Sequence, residues 1–336
     1  MKELLTKPLL SIIIPVYNLQ EYIVQALDSI FLQNVDTSLF EVIIVDDGSK
    51  DNSLDLIKEY ASSYDNIIVK SQNNGGVSKA RNVALNLATG LYVTFLDADD
   101  RFAENSLTRL FEIILQSVES DVIYCRSYVL YPSGIKESHL WQRHFTTKKI
   151  YNGKDIIKLQ YLNGGSVCGG LYRTEYIHSQ QLAFAEGVAN AEDTIFNYIL
   201  YSRNPKISFA DIPLNLVTVR EGSASRSDSI ERVVKYRNNM SYLLAYRENR
   251  ILSNEEREIV DMATYHSIVC AIGMYIRSGG KDSNYIAHLL NLKEILPLRI
   301  KHLNLNQLVK IFILNYCYSL YFLLMKIQKT FVYYIK

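Results

Sequence analysis

The sequence lacks the cysteine patterns that stabilise small secreted proteins or hold zinc. Its 336 residues include only four cysteines, with no CxxC pair and no cysteine–histidine cluster: Cys125, Cys168, Cys270 and Cys317. Spacings this wide predict neither a disulfide framework nor a zinc site, and they favour reduced thiols in the cytoplasm. The segment from Met1 to Pro8 has no uninterrupted apolar run of the kind found in signal peptides, so we do not expect export.

The chain also lacks an excess of charge of either sign. Its 36 lysines and arginines face 35 acidic residues, which gives a formal net charge of +1. Nucleic-acid-binding domains usually carry a basic excess, so the composition argues against a nucleic-acid partner. No short-period repeat or low-complexity segment is visible. Any partner must therefore be recognised by local groups of residues.

The first hundred residues alternate apolar strands with amphipathic helices. Strands are predicted over 9–16, 40–45, 67–70 and 91–96, and helices over 53–64 and 77–88. Another helix is predicted to open at the capping-box-like segment 18–21 and to run to Gln33. This alternation predicts an α/β fold with a mostly parallel central sheet flanked by helices. Ligands of such sheets bind beyond the carboxyl ends of the strands.

The pattern changes after about Ile230 to successive helices, predicted over 230–247, 255–277, 284–295 and 305–329. We therefore predict a catalytic domain over 1–228 and an all-helical C-terminal region over 229–336. The fifteen mostly apolar residues between Lys310 and Lys326 are too few and too interrupted for a normal membrane span. The segment 305–329 is predicted either to lie at a membrane surface or to pack against the catalytic domain or a second subunit.

Concentrated negative charge follows one apolar strand, in the segment Asp97-Ala98-Asp99-Asp100. Carboxylates at a strand end suit Mg²⁺ or Mn²⁺, which bridge to substrate phosphates when one or two acids hold them. We therefore predict that Asp99 binds the metal, that Asp97 reaches a ribose or a metal-bound water, and that Asp100 supports the loop. The alternative is that these acids only cap the following helix.

A second pair of acids, Asp46 and Asp47, follows the strand over 40–45. Acidic positions gathered at one edge of an α/β sheet are what transfer from a nucleotide sugar would need. For such a ligand, Asp47 is a candidate to accept a hydrogen bond from the imide N–H of uracil, while Asp46 holds the loop or reaches the ribose. The alternative is a simple Asx turn. Arg81, on the helix that follows Gly75-Gly76, is a candidate to meet the base or phosphates, and the alternative is a solvated helix arginine.

Asp193 is the candidate general base. Its carboxylate would deprotonate an acceptor hydroxyl that attacks the anomeric carbon opposite the leaving nucleotide, which gives inversion in one displacement. The neighbouring Glu192 is interpreted as a supporting or helix-capping acid. The alternative for both residues is an acidic first helical turn without catalytic function.

Five segments in order resemble the signatures of family 2 glycosyltransferases with the GT-A fold: 11–18, 45–49, 75–82, 95–100 and 192–193. The resemblance covers about 9–226 and implies an inverting, metal-dependent transferase that uses a nucleotide sugar, usually a UDP-sugar. It also implies roles by position. Pro15, Asp47 and Arg81 match the nucleotide contacts, Asp99 matches the metal ligand, and Asp193 matches the base.

Two departures from the family qualify these roles. The chain has no Gln-x-x-Arg-Trp motif, which processive members carry, so we expect addition of a single sugar. No histidine lies between Asp193 and His266, so a late histidine ligand for the metal is missing. The segment 219–225 resembles a mobile loop after the catalytic residues, in which Arg220 or Ser223 would meet the diphosphate. The alternative is a loop without ligand contact.

These features together predict a cytoplasmic enzyme that adds one sugar to a glycan acceptor, with the segment 305–329 either on the cytoplasmic membrane face or packed within the protein. The expected cofactor is Mn²⁺ or Mg²⁺, and the expected acceptor is a cell-surface polysaccharide intermediate, including one linked to polyprenyl diphosphate. Two alternatives stay open: a transferase that extends sugars on a protein, and a nucleotide-sugar-binding module without turnover. A homodimer is compatible with the sequence. The sequence does not define which sugar is transferred or which linkage is formed.

Overall fold

The structure is a computed structural model that describes residues 7–116, 119–131, 134–137, 146–147, 149–160, 165–188, 191–219, 229–301 and 305–334. Internal contacts divide the chain into two units. The first contains Met1–Leu159, Ser166–Glu186 and Asn204–Glu221, and the second contains Gln160–Gly165, Gly187–Arg203 and Gly222–Lys336. The sequence predicts a single boundary after residue 228, whereas the structure assigns residues 187–203 to the C-terminal helical unit.

The first unit is built on one sheet. Its described strands are β1 (Leu10–Val16), β2 (Phe40–Asp46), β3 (Ile67–Ser71), β4 (Tyr92–Phe95), β5 (Arg101–Phe102), β6 (Val122–Tyr131), β7 (Gly134–Glu137), β8 (Gly170–Arg173) and β9 (Ile207–Thr218). Their order is β3-β2-β1-β4-β8-β6-β9-β5, with β7 beside β6. The strands β1 to β4 are parallel, as predicted, but β8 joins β4 antiparallel and the remaining pairings are mixed. The sheet as a whole is therefore mixed rather than mostly parallel.

Helices cover this sheet. They are α1 (Ile23–Phe31), α2 (Ser53–Ala61), α3 (Val77–Leu87), α4 (Ser106–Gln116), α5 (Gly153–Gln160) and α6 (Thr174–Ser179). Every residue of β1 and β2 is buried, as expected for strands covered on both faces. The buried Glu41 carboxylate accepts hydrogen bonds from the Ser11 hydroxyl and the Gly90 N–H. A Cβ at Gly90 would lie 2.7 Å from the Ser11 nitrogen, so only glycine fits here.

The predicted capping box at residues 18–21 is wrong. Helix α1 begins at Ile23, and its N-cap, Tyr22, makes no side-chain capping bond. Asn18 adopts a left-handed conformation, and its Oδ1 accepts a hydrogen bond from the Lys50 N–H. The segment therefore ties the loop after β1 to the loop after β2 instead of capping its own helix.

The second unit is helical in its described residues. It contains α7 (Glu192–Ser202), α8 (Ile230–Asn249), α9 (Asn254–Arg277), α10 (Ser283–Leu289), α11 (Leu292–Ile295), α12 (Leu305–Tyr316) and α13 (Tyr318–Tyr334). The predicted helical C-terminal region is therefore confirmed. Helix α9 starts with a capping box between Ser253 and Glu256. Among the described residues, α9 is the one helix with the length and composition of a membrane span, and 78% of its apolar window is buried within the protein.

Candidate functional site

The predicted donor-binding residues of the first unit lie where parallel strands end. In the strand order β3-β2-β1-β4, the chain runs from β1 outward to β2 and β3, and then returns to place β4 on the opposite edge of β1. The strand order therefore reverses between β1 and β4, which is the topological switch point of the sheet. Pairing between these two strands ends at Ile13 and Phe95, with a last bond from the Leu96 N–H to the Ile13 carbonyl. The tips of β1 and β4 are therefore the place where such a sheet accepts a ligand.

Pro15 lies two residues beyond the last β1–β4 pair and stays in register with Val45 of β2. Backbone groups of alternate residues point towards the same neighbouring strand, so the Pro15 nitrogen points towards β4, as the backbone of Ile13 does. The β4 strand has already ended at this level, so no partner there needs an N–H from residue 15. Proline therefore removes no ladder hydrogen bond here. Its predicted contact with the nucleotide stays a prediction.

The Asp47 carboxylate holds the loop that leads into α3. Its Oδ1 accepts hydrogen bonds from the Gln72 side chain at 2.7 Å and the Gly75 N–H at 2.8 Å. Its Oδ2 accepts the Gly76 N–H at 2.7 Å. Asp47 is buried, so these bonds compensate much of the cost of its charge. The predicted bond to uracil stays a prediction, and any such contact would be added to this network.

Asp46 is buried beside Asp47 and also serves the loops. Its carboxylate accepts hydrogen bonds from the Ser49 N–H at 3.2 Å and the Ser71 hydroxyl at 3.1 Å. This geometry agrees with the expected loop-holding role, and the ribose contact stays a prediction. The two acids at the end of β2 therefore build the frame of the candidate site.

Arg81 is buried on α3, and it is neither solvated nor at the surface. Its Nη2 donates to Asp97 Oδ1 at 2.8 Å. The guanidinium lies 5.1 Å from the ring centre of Phe184 and 5.9 Å from that of Phe95, within the range of cation–π attraction. Arg81 therefore positions Asp97, and its predicted contact with base or phosphates stays a prediction.

Helix α3 connects the two acidic strand ends. Its N-terminal residues are held by Asp47 at the end of β2, and Arg81 one turn later holds Asp97 beyond β4. The side-chain amide of Asn82 bonds both the N–H and the carbonyl of Phe184, which fixes the ring that lies over Arg81. The two acidic strand ends are therefore connected through one helix.

The acids after β4 differ in exposure. The Asp97 side chain is 39% exposed and Asp99 is half-buried, whereas Asp100 is buried. Asp100 Oδ1 accepts the Thr218 N–H at 2.8 Å, which ties this loop to the end of β9. The geometry agrees with a loop-supporting role for Asp100. Water and ligands reach Asp97 and Asp99 more readily.

The donor set after β4 fits the predicted Mg²⁺ or Mn²⁺. Among the described residues, no group of three or more His, Cys, Asp or Glu side chains forms a closed metal cage. These hard cations commonly take only one or two protein carboxylates and complete their coordination with water and substrate phosphates. A half-buried Asp99 beside an accessible Asp97 is compatible with that arrangement, and metal binding stays a prediction.

Glu192 and Asp193 belong to the second unit, at the first turn of α7. Both are half-buried, and the Glu192 carboxylate accepts the N–H of Ala191 at 3.1 Å. This bond ties Glu192 to the backbone just before α7, and its interpretation as a supporting or helix-capping acid stays a prediction. The function of Asp193 as base stays a prediction, and Arg220 and Ser223 lie outside the described residues.

A cleft of about 560 Å³ lies within the second unit and includes neither Glu192 nor Asp193. Its charged walls fix the chain after α11: Asp261 accepts bonds from the Arg247 side chain and the Arg299 N–H, and Glu258 accepts the Lys301 N–H. These bonds join α8, α9 and the segment before α12. The cleft is therefore accounted for by the packing of this unit.

Several residues of the candidate site were not identified from the sequence: Ser71, Gln72, Asn82, Phe184 and Thr218. Of these residues, Gln72 has the clearest sequence signal, because it lies between the end of a predicted strand and a Gly-Gly turn. The others meet their partners through contacts distant in sequence, which leave no local pattern.

The comparisons with known proteins agree with this geometry. The model of the family described as "Glycosyl transferase family 2" matches residues 11–176, a segment that contains both acidic strand ends and α3. The chain belongs to this family. The S. aureus TarS structure with UDP-GlcNAc aligns with a TM-score of 0.61 at 23% identity, over 85% of this chain and 88% of that one. The predicted GT-A fold is thereby confirmed.

Curated relatives of this family 2 chain include bacterial enzymes. The uncharacterized glycosyltransferase EpsJ of Bacillus subtilis is 30% identical over 213 residues, which are 61% of this chain and 59% of EpsJ. The poly(ribitol-phosphate) beta-glucosyltransferase of Bacillus spizizenii is 29% identical over 218 residues, which are 63% of this chain and 33% of the relative. The chain therefore spans between a third and three fifths of these two relatives.

Proposed function

We propose that this family 2 chain transfers one sugar, with inversion, from a nucleotide sugar to a hydroxyl of a cell-surface glycan acceptor. The observation that carries the proposal is the coupling of two acidic strand ends through α3 at the switch point of the sheet. This arrangement provides a buried frame, Asp46 and Asp47, beside accessible acids, Asp97 and Asp99. Such a site suits a ligand with a base at one end and a diphosphate at the other.

The proposed donor is a UDP-sugar. Solved structures of S. aureus TarS contain UDP-GlcNAc and UDP, and they share the fold of this chain. The names of the B. spizizenii and S. aureus relatives describe transfer to poly(ribitol-phosphate), a repeating polymer. These names support a polymer acceptor over a protein acceptor for this chain. The proposed acceptor is a cell-surface polysaccharide intermediate, and a polyprenyl-diphosphate-linked one belongs to this proposal.

In the proposed reaction, the Asp193 carboxylate takes the proton of the acceptor hydroxyl while that oxygen bonds to the anomeric carbon. The bond between the anomeric carbon and the diphosphate oxygen breaks, and its electron pair leaves with the nucleoside diphosphate. A Mn²⁺ or Mg²⁺ ion held by Asp99 would neutralise charge on that departing group. Arg81 keeps the Asp97 carboxylate in one position, and Asp47 keeps the loop into α3 in place.

The first experiment is a hydrolysis screen over a panel of nucleotide sugars with Mn²⁺ or Mg²⁺, followed by an acceptor search. The acceptor arms are a polyprenyl-diphosphate saccharide and an intact glycopeptide. Transfer to the lipid-linked saccharide supports the proposal, and transfer only to the glycopeptide supports the protein-acceptor alternative. Nucleotide binding without hydrolysis or transfer would identify a non-catalytic module.

Substitutions separate the two proposed roles. We expect Asp193→Asn to abolish transfer while metal-dependent UDP affinity persists, because the amide cannot accept the proton. We expect Asp99→Asn to weaken both UDP affinity and transfer. The control is Asp65→Asn, at an exposed carboxylate after α2, which should change neither. Full transfer by Asp193→Asn would remove the base assignment, and metal-dependent UDP affinity unchanged in Asp99→Asn would remove the metal assignment.

A further inference from the structure

The last two described helices present an apolar stripe to the outside. Six apolar side chains on α12 and α13 are between 42% and 71% exposed: Val309, Phe312, Tyr316, Leu320, Leu323 and Ile327. Isolated exposed apolar residues are normal, but a contiguous row is a recognised sign of an interaction surface.

The stripe follows the helical repeat. The helical pattern is interrupted at Cys317, between α12 and α13, so each helix carries its own row: Val309, Phe312 and Tyr316 on α12, and Leu320, Leu323 and Ile327 on α13. At about 100° per residue, the three side chains on each helix fall within an arc of about 60°. The buried residues Leu314 and Phe322 lie on the opposite side. These helices therefore bury one apolar face inside the unit and expose another.

Positive charge accompanies the stripe. Residues 296–336 contain six basic residues and no aspartate or glutamate, so the rest of the chain, with 30 basic and 35 acidic residues, carries −5. Lys310 on α12 and Lys326 on α13 are both exposed. The near-neutral total charge thus conceals a basic C-terminal segment.

We infer that this stripe docks on the surface of an anionic lipid bilayer. An interfacial helix buries an apolar face among the acyl chains while flanking lysines meet lipid headgroups, and each basic residue near an anionic surface contributes about 1 kcal/mol, a change of about fivefold in affinity. A second copy of the chain is a poorer occupant, because two identical stripes would bring lysines together with no acidic residue in 296–336 to pair with them.

The test is flotation of the purified full chain with vesicles of phosphatidylcholine alone or with about a third phosphatidylglycerol. We expect binding to the anionic vesicles that weakens as salt rises from about 0.1 M to about 1 M. The double variant Phe312→Glu/Leu323→Glu should reduce partitioning at least about tenfold. The variant Lys310→Gln/Lys326→Gln should lower affinity by about twentyfold for anionic vesicles only.

The matched control is Leu32→Glu/Ile251→Glu, which changes two exposed apolar side chains outside the stripe and should bind vesicles like the parent. Circular dichroism verifies that each variant is folded. Absence of binding by the folded parent would overturn the inference, and so would equal loss in control and stripe variants. A dimer that Phe312→Glu/Leu323→Glu dissociates, without vesicle binding by the parent, would assign the stripe to a second copy. The assay needs no turnover, so its failure leaves the proposed function untouched.

Discussion

The ion pair of Arg81 and Asp97 predicts that its two members contribute unequally to stability. The Arg81 Nη2 and Asp97 Oδ1 are 2.8 Å apart, but the arginine side chain is 3% exposed and the aspartate side chain is 39% exposed. Asp97→Ala leaves a buried guanidinium without this carboxylate. Arg81→Met leaves a carboxylate that water already reaches. The first substitution should therefore cost more free energy of unfolding than the second.

The expected magnitudes follow from these environments. Removing one partner of a buried pair costs about 3–5 kcal/mol when the remaining charge is buried and uncompensated, so the other contacts of Arg81 make this range the upper bound for Asp97→Ala. After Arg81→Met, the losses are a partly solvated ion pair of about 1 kcal/mol and a cation–π contact of about 1 kcal/mol. Methionine keeps much of the apolar packing of the arginine stem. We therefore expect about 2 kcal/mol for Arg81→Met.

The assay is equilibrium urea unfolding of both single variants and the double variant at pH 7. The double variant should be more stable than the sum of the single changes predicts, with a coupling on the order of 2 kcal/mol. The more exposed pair of Arg126 and Asp211 provides the control, with an expected coupling below about 1 kcal/mol. Equal costs for Asp97→Ala and Arg81→Met, or simple additivity, would refute the argument from burial.

Three further substitutions test the frame and the second unit. Asp47→Asn should cost about 1–3 kcal/mol in urea unfolding and weaken nucleotide binding, because the amide nitrogen cannot accept an N–H bond, whereas the exposed Asp65→Asn should do neither. Gly76→Ala should cost about 1–3 kcal/mol, because φ +86° and ψ 162° are accessible almost only to glycine, while no atom within 4 Å would obstruct the added Cβ. Burial lowers the pKa of His266 to about 4 in the folded protein, against about 6.5 in the unfolded chain. The unfolded chain therefore binds the proton more readily, so the free energy of unfolding should fall as the pH drops from about 6.5 towards 4, by at most about 2 kcal/mol at pH 5. His266→Gln should flatten that pH profile, and an unchanged profile would contradict the assignment.

The parallel half of the sheet could be predicted because β1, β2 and β4 are largely apolar runs and acids follow β2 and β4. The predicted strand over 40–45 lies within β2, for example, and the helix predicted over 77–88 corresponds to α3. The antiparallel half could not be predicted. The residues of β4 and β8 that pair are 77 to 81 positions apart, and no local pattern specifies that pairing. The capping-box error has the same cause, since Asn18 bonds to Lys50.

The residue types of the candidate site could be predicted from the sequence, but the contact that each residue makes could not. Acids after buried strands can be recognised from spacing alone. The partner of Arg81 could not be recognised, because the sequence around a helix arginine that binds an acid 16 residues later is no different from that around an arginine exposed to solvent. The two units were unpredictable for a related reason. Residues 187–203 group with distant C-terminal helices, so no single boundary in the sequence separates them.

Burial gives the acidic motifs different chemistry despite their similar appearance in the sequence. Asp46 and Asp47 are buried, and their carboxylate oxygens accept hydrogen bonds from N–H groups and side chains of the loops, so they are suited to hold the backbone in place. Asp97 and Asp99 are accessible, so a ligand there competes with water and with the groups that already contact these acids, such as Arg81 at Asp97. A buried carboxylate already committed to several donors gains little from a further ligand, whereas an accessible one gains a full charge interaction when the ligand excludes water. Substitution at the end of β2 should therefore act on binding through the stability of the loop, and substitution beyond β4 should act on the ligand directly.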